Sequence, residues 1–145
     1  MNNNEINFRT PRTMVGTAME IVVAMLVIAM WTMAIYLFQG AAADTIQALI
    51  WHSLFCTFLP FLMLVSCYFP KTFSMPVRRP RAEHYLLTVE MIRVCCIALM
   101  PILLAATWKI GRPDDAKAAE GVQAVFGLVI TLIVAYYIVR LIRMR

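Results

Sequence analysis

Histidine, cysteine and a few acidic and basic residues inside apolar surroundings are the groups in this chain whose chemistry needs explaining. His52 lies near the outer end of the second hydrophobic stretch and His84 in the inner joint before the third, so they cannot share one metal centre within a single copy. Cys67, Cys95 and Cys96 could be gathered with His84 at one end. However, Cys95 and Cys96 are adjacent and point to different faces of a helix, and no C-x-x-C spacing is present. Cys56 and its three companions all lie in hydrophobic stretches, where free cysteine behaves as a small apolar packing residue. Nucleophilic catalysis finds no better footing. Ser53 follows His52 directly, a spacing that does not bring two side chains together on a helix, and no G-x-S-x-G elbow occurs. With five glycines in 145 residues, no Gly-rich phosphate loop can be drawn. The sequence predicts no catalytic residues, no metal and no cofactor, and hence a protein that is not an enzyme.

The charges that lie close to apolar runs are more informative. Glu90 and Arg93 precede an uncharged stretch, Val94 to Trp108, that spans only roughly 22 Å as a helix, too short for a hydrocarbon core of about 30 Å. Both charges must then lie at or just inside its edge, where an unpaired charge costs energy. Glu90 is three residues before Arg93, a spacing that lets helical side chains meet. Glu20 stands one residue before the apolar run of the first stretch, as Arg93 does before its own, so the two should share a depth. A cluster of Glu20, Glu90 and Arg93 is therefore expected to tie the first helix to the third. Snorkelling into the headgroups is the other way to satisfy the same charges.

These residues need elements to carry them, and composition says which. Hydrophobic residues make up 62% of the chain and charged residues 14%, against about 45–50% and 25% in a soluble domain. Charge-free stretches recur at Ile21–Phe38, Ile46–Phe69, within Tyr85–Trp108 and at Val122–Val139. The expectation is an all-α membrane protein: a single domain over residues 1–145 with four transmembrane helices at about 14–38, 46–69, 85–108 and 122–141. Arg9 and Arg12 before an apolar run that ends at Ala41-Ala42-Ala43 imitate a cleaved signal, but the run exceeds the 7–15 residues usual for one. The first helix is expected to stay.

Basic residues set the orientation. Arg9 and Arg12, then Lys71, Arg78, Arg79 and Arg81, then Arg140, Arg143 and Arg145 occupy alternate joints and both tails. The joint Gln39–Thr45 has no basic residue, and Lys109, Arg112 and Lys117 are balanced by Asp114, Asp115 and Glu120. Both termini are thus predicted to be cytoplasmic. Tyr36, Trp51 and Trp108 fall near the outer boundary, and Tyr68, Tyr85, Tyr136 and Tyr137 near the inner one, as interfacial aromatics should. Only Trp31 sits deep. Pro60 and Pro101 interrupt the second and third spans, where each removes a backbone donor and kinks the helix or lines a small polar gap.

The net charge of +5 fits membrane orientation and attraction to anionic lipid headgroups better than nucleic acid. The basic loop with Lys71, Arg78, Arg79 and Arg81 is the place for such contact, at about 1 kcal/mol per basic residue. The same residues also serve orientation.

The order of short motifs resembles a family, the small bacterial membrane domain of unknown function that precedes the immunity domain in proteins protecting against sporulation-delaying toxin. Trp31-Thr32-Met33-Ala34-Ile35-Tyr36, Asp44-Thr45-Ile46, Tyr68-Phe69-Pro70, Phe73, Pro76-Val77, Met91-Ile92-Arg93 and Trp108 carry the likeness, as in stand-alone four-helix relatives. The family pattern continues after Thr-Ile with Pro, a His-Phe pair and a glycine-rich loop. Here Gln47 takes the place of the Pro, and Ala48-Leu49-Ile50 run straight into the second span. The outer motif loop is missing, and no functional residue carries over. What the resemblance implies is a bacterial inner-membrane protein of accessory, immunity or signalling type. Its partners would be the lipid bilayer, another membrane protein or a second copy of itself. A subunit of an oligomeric small transporter or channel is the alternative, suggested by Pro60, Pro101 and the inner charges.

Overall fold

The computed structural model describes residues 11–69 and 81–144. Four helices, α1 (Met14–Phe38), α2 (Ala43–Ser66), α3 (Ala82–Gly111) and α4 (Lys117–Arg143), follow one another, with one 3-10 turn at Pro113–Asp115 between the last two. All four are long and apolar enough to cross a membrane. A helix meets most of its backbone donors and acceptors within itself, as a span in hydrocarbon requires, and Pro60 and Pro101 each remove one donor from α2 and α3. The end where α1 and α3 begin and α2 and α4 finish is called the base below, and the opposite end the top.

Local chemistry fixes the helix limits. Thr13 caps α1, its hydroxyl accepting the Gly16 N–H at 3.1 Å. At the top, Gly40 adopts a φ of 75°, a left-handed conformation that glycine takes without strain, and the chain re-enters a helix at Ala43. Asp44 in the first turn of α2 complements the helix dipole. That is why α2 starts three residues earlier than the apolar run at Ile46 suggested. It also ends earlier: Cys67, Tyr68 and Phe69 are apolar in type but turn away from the helix through 3-10-like hydrogen bonds to Leu64, Val65 and Ser66. α3 and α4 both outrun their apolar cores, because Glu83, Lys109, Glu120, Arg140 and Arg143 lie in terminal turns. A helix continues for as long as its hydrogen bonds do, not for as long as its side chains are greasy.

Packing is unequal. α3 touches each of the other three, α1 also packs on α2, and α4 leans on α3 while barely meeting α1. The main core gathers Val23 and Met30 of α1, Cys56 of α2, and Cys96, Met100 and Leu103 of α3. A smaller cluster of Leu87, Tyr137 and Leu141 holds α4 to α3 near the base. Trp31, the deep tryptophan, finds a partner there: its indole N–H donates to the Thr57 hydroxyl at 2.8 Å, which donates to the Ser53 carbonyl at 2.8 Å. Pro60 is buried and Pro101 half-buried, each within a continuous helix.

α4 is the least buried helix. A Cβ added at Gly121 or Gly127 meets nothing within 4 Å. Gly121→Ala and Gly127→Ala are therefore expected to raise stability by up to about 1 kcal/mol each, the helix-propensity difference between the two residues. Thermal unfolding in detergent reads this as a higher midpoint, and a lower one means that this face is packed against something.

Candidate functional site

Side chains on a helix lean towards its N-terminus. α1 and α3 both begin at the base, so Glu20 and Arg93 both reach that way. Arg93 leaves α3 and lays its guanidinium across the backbone of α1 at Gly16. A Cβ built on Gly16 would run into Nη1 and stand 2.7 Å from Cζ, so glycine leaves the room the guanidinium uses. One turn further along α1, Glu20 Oε1 accepts from Arg93 Nη2 at 3.2 Å. The same oxygen accepts from the Tyr68 hydroxyl at 2.5 Å. One carboxylate oxygen thereby joins α1, α3 and the segment that follows α2.

Burial makes this pair more than a surface contact. The Arg93 side chain is 7% exposed and that of Glu20 27%. A guanidinium offers five N–H donors in a flat fork, and here Glu20 takes up one nitrogen while Nε has no partner among the described residues. Buried cations with unspent donors are costly, so this arginine is held by its neighbours while its Nε still lacks an acceptor among the described residues.

The expected three-residue cluster divides in two. Glu90, three residues before Arg93, forms no ion pair with it and turns to α4, where its Oε1 accepts from the Tyr137 hydroxyl at 2.9 Å. The reason is angular: positions 90 and 93 flank the α3 ridge, one towards α4 and one towards α1. Tyr137 is itself 7% exposed, and Tyr136 stands against it edge to face at 5.4 Å. Tyr137→Phe keeps the packing and removes the hydroxyl. It should cost about 1–2 kcal/mol, the scale of a hydrogen bond to a charged group, read as a lower unfolding midpoint. An unchanged midpoint means that water serves Glu90 equally well.

Between the start of α1 and α3, beside this lock, lies a recess of about 360 Å³. Its walls are mostly apolar, with Val15, Met19, Leu86 and Val89 among them, and Glu90 and Arg93 supply its charge. Nearer the top, between α1, α3 and α4, a second recess of about 400 Å³ is almost wholly apolar, bounded by Met33, Pro101, Trp108 and Val122.

Other residues singled out from the sequence take different places. Lys71, Arg78 and Arg79 of the basic loop lie outside the described residues, and Arg81 is exposed at the start of α3. His84 is not in a joint but inside the first turn of α3, 3% exposed. Its Nδ1 accepts the Arg81 N–H at 3.0 Å, which leaves the proton on Nε2 to be donated to the Met144 carbonyl at 2.9 Å. The histidine so joins the start of α3 to the end of α4. His52 lies against Cys56, one turn on, with Nε2 3.4 Å from Sγ. No three His, Cys, Asp or Glu side chains are grouped to hold a metal ion among the described residues. At the top, Arg112 sits over the rings of Tyr36 and Trp108, 5.9 and 5.5 Å from their centroids, and Lys109 pairs with Glu120 at 2.9 Å.

Sequence reasoning did not find Tyr68, Tyr137 or Gly16. The tyrosines looked like ordinary interfacial aromatics. Gly16 carried a signal in retrospect, since it precedes Glu20 by one helical turn and so shares its face. Compared with known protein families, curated proteins and solved structures, the chain matches none.

Proposed function

We propose that this chain is a non-enzymatic multi-pass protein of the bacterial inner membrane, with its base and both termini cytoplasmic. It acts as an accessory, immunity or signalling component through contacts with another membrane protein, a second copy or lipid. The single observation behind this reading is the seam along α3. Because α4 leans on α3 and barely meets α1, the face of α3 between them stays open, with an apolar recess towards the top and a charged one at the base. Helices associate in a bilayer by close packing and a few polar contacts rather than by hydrophobic burial, and an unfilled seam of that kind offers both. Arg12, Arg81, Arg140 and Arg143 at the base support the orientation, and the resemblance of the short motifs to the immunity-associated membrane domain is what suggests the class.

The test is photo-crosslinking in native membranes from probes at Met33, Leu104 and Val122, with Leu54 on the outer face of α2 as control. Adducts to a membrane protein or to a second copy, formed from the seam and not from Leu54, are the expected result. Seam probes that label nothing the control does not label remove the reading. Reporter fusions at each terminus check the orientation.

A small transporter subunit is the second reading. Pro60 and Pro101 inside helices favour it, as does the Ser53 hydroxyl, fully buried and without a partner among the described residues. Absence of ion, proton or organic-cation flux in liposomes holding the purified chain eliminates it.

A further inference from the structure

The basal recess has two ends of opposite character. One end is the first turn of α1. Thr13, Val15 and Gly16 line it, no acidic side chain stands in that turn, and a helix start carries a partial positive charge, although the Thr13 hydroxyl already takes the Gly16 N–H. Arg93 reaches the same end, more than nine-tenths buried and with Nε lacking an acceptor among the described residues. The other end is the exposed Glu90 carboxylate, whose hydrogen-bond partner among the described residues is a neutral hydroxyl, that of Tyr137. Glu20 pairs with Arg93, so among the described lining residues the charge left without an ionic partner is that of Glu90. Apolar walls from Val15, Met19, Leu86 and Val89 connect the two ends.

We propose that this recess holds the headgroup of a phospholipid bearing a primary ammonium, such as phosphatidylethanolamine. The phosphate lies at the first turn of α1 beside the Arg93 guanidinium. The ammonium donates to Glu90, and the beginning of an acyl chain follows the apolar wall. A purely anionic headgroup satisfies the Arg93 end but meets Glu90 as a like charge. A choline headgroup carries the positive charge without an N–H to donate. The zwitterion with a primary amine matches both ends, because charge-assisted hydrogen bonds form at each. The inference rests on the reading of the chain as a membrane protein that works through lateral contacts, and it names one of them.

Full-length chain in nanodiscs made of equal parts phosphatidylethanolamine, phosphatidylglycerol and phosphatidylcholine is released into native mass spectrometry, and the retained lipid is identified. Retention of phosphatidylethanolamine over each of the others by about tenfold is expected, the weight of one charge-assisted hydrogen bond. Glu90→Gln, an exposed position, should bring that preference to within about twofold, because the amine loses its charged acceptor. Leu86→Trp fills the recess and should lower retention of all three lipids. Equal retention of the three, preference for phosphatidylglycerol, or an ethanolamine preference that survives both substitutions overturns the proposal. The seam crosslinking described above is run on the same variants. Its adducts persist if only the lipid assignment is wrong, and vanish in the unsubstituted chain if the broader reading is wrong.

Discussion

Glu20→Ala is expected to lower the stability of the folded chain by about 3 kcal/mol or more, the cost of leaving a buried charge without its partner. The substitution removes the acceptor that both Arg93 and Tyr68 use, while the guanidinium stays enclosed against Gly16. Arg93→Met should cost less, since an apolar side chain of similar length fills the space and the half-exposed Glu20 keeps Tyr68. The double variant should be more stable than the sum of the two losses predicts, because the worst consequence of losing Glu20 is the stranded arginine. Thermal midpoints in detergent and accumulation in the membrane measure all three. Strict additivity of the two losses rules out the ion pair as a tie between α1 and α3. The exchange Glu20→Arg with Arg93→Glu is a harder version, as an arginine on α1 finds no glycine opposite it, and only partial recovery is expected.

Gly16→Leu is the second large effect. Its Cβ alone would occupy the place of Arg93 Nη1, and Thr13 Oγ1 stands 2.9 Å from the same point. Overpacking of this kind costs about 1–3 kcal/mol, and here it also pushes a cation away from its carboxylate. Gly16→Ala should already be harmful, in contrast to Gly127→Ala, although alanine is the better helix former at both positions. Paired measurement of the two isolates the space around Arg93 from backbone propensity. Equal gains at both glycines mean that the guanidinium moves aside freely. Gly16→Ala combined with Arg93→Met should recover most of the loss, since the clash then has no second party.

What the sequence disclosed follows a physical divide. Depth could be read from it: Glu20 and Arg93 each stand at the edge of an uncharged run, and the structure pairs them. The limits of α1 could also be read: the expected span, about 14–38, is the helix Met14–Phe38. Rotation could not. Whether Glu90 faces α1 or α4 depends on how α3 is turned within the bundle, and helices that are apolar on every side do not announce the face they bury. The same gap hid Tyr68 and Tyr137, whose hydroxyls meet carboxylates 48 and 47 residues away in the chain. The end of α2 was misplaced for another reason: Cys67, Tyr68 and Phe69 read as membrane residues by type, but Tyr68 is drawn out of the helix line towards Glu20. His84 looked like part of a polar joint because Glu83 and Arg81 surround it. Helix geometry alone decides that its ring turns back to the Arg81 N–H.

The main core of the molecule is composed only of side chains from α1, α2 and α3. Synthesis delivers the chain N-terminus first, so everything that core needs, and both members of the Glu20–Arg93 pair, leave the ribosome ahead of α4. α4 follows, packing along α3 through Leu87, Tyr137 and Leu141. Assembly thus separates into a step that can seal two charges away and a step that lays the fourth helix along α3, the neighbour it contacts most. A ribosome stalled between the two would expose α3's remaining face to whichever helix reaches it first.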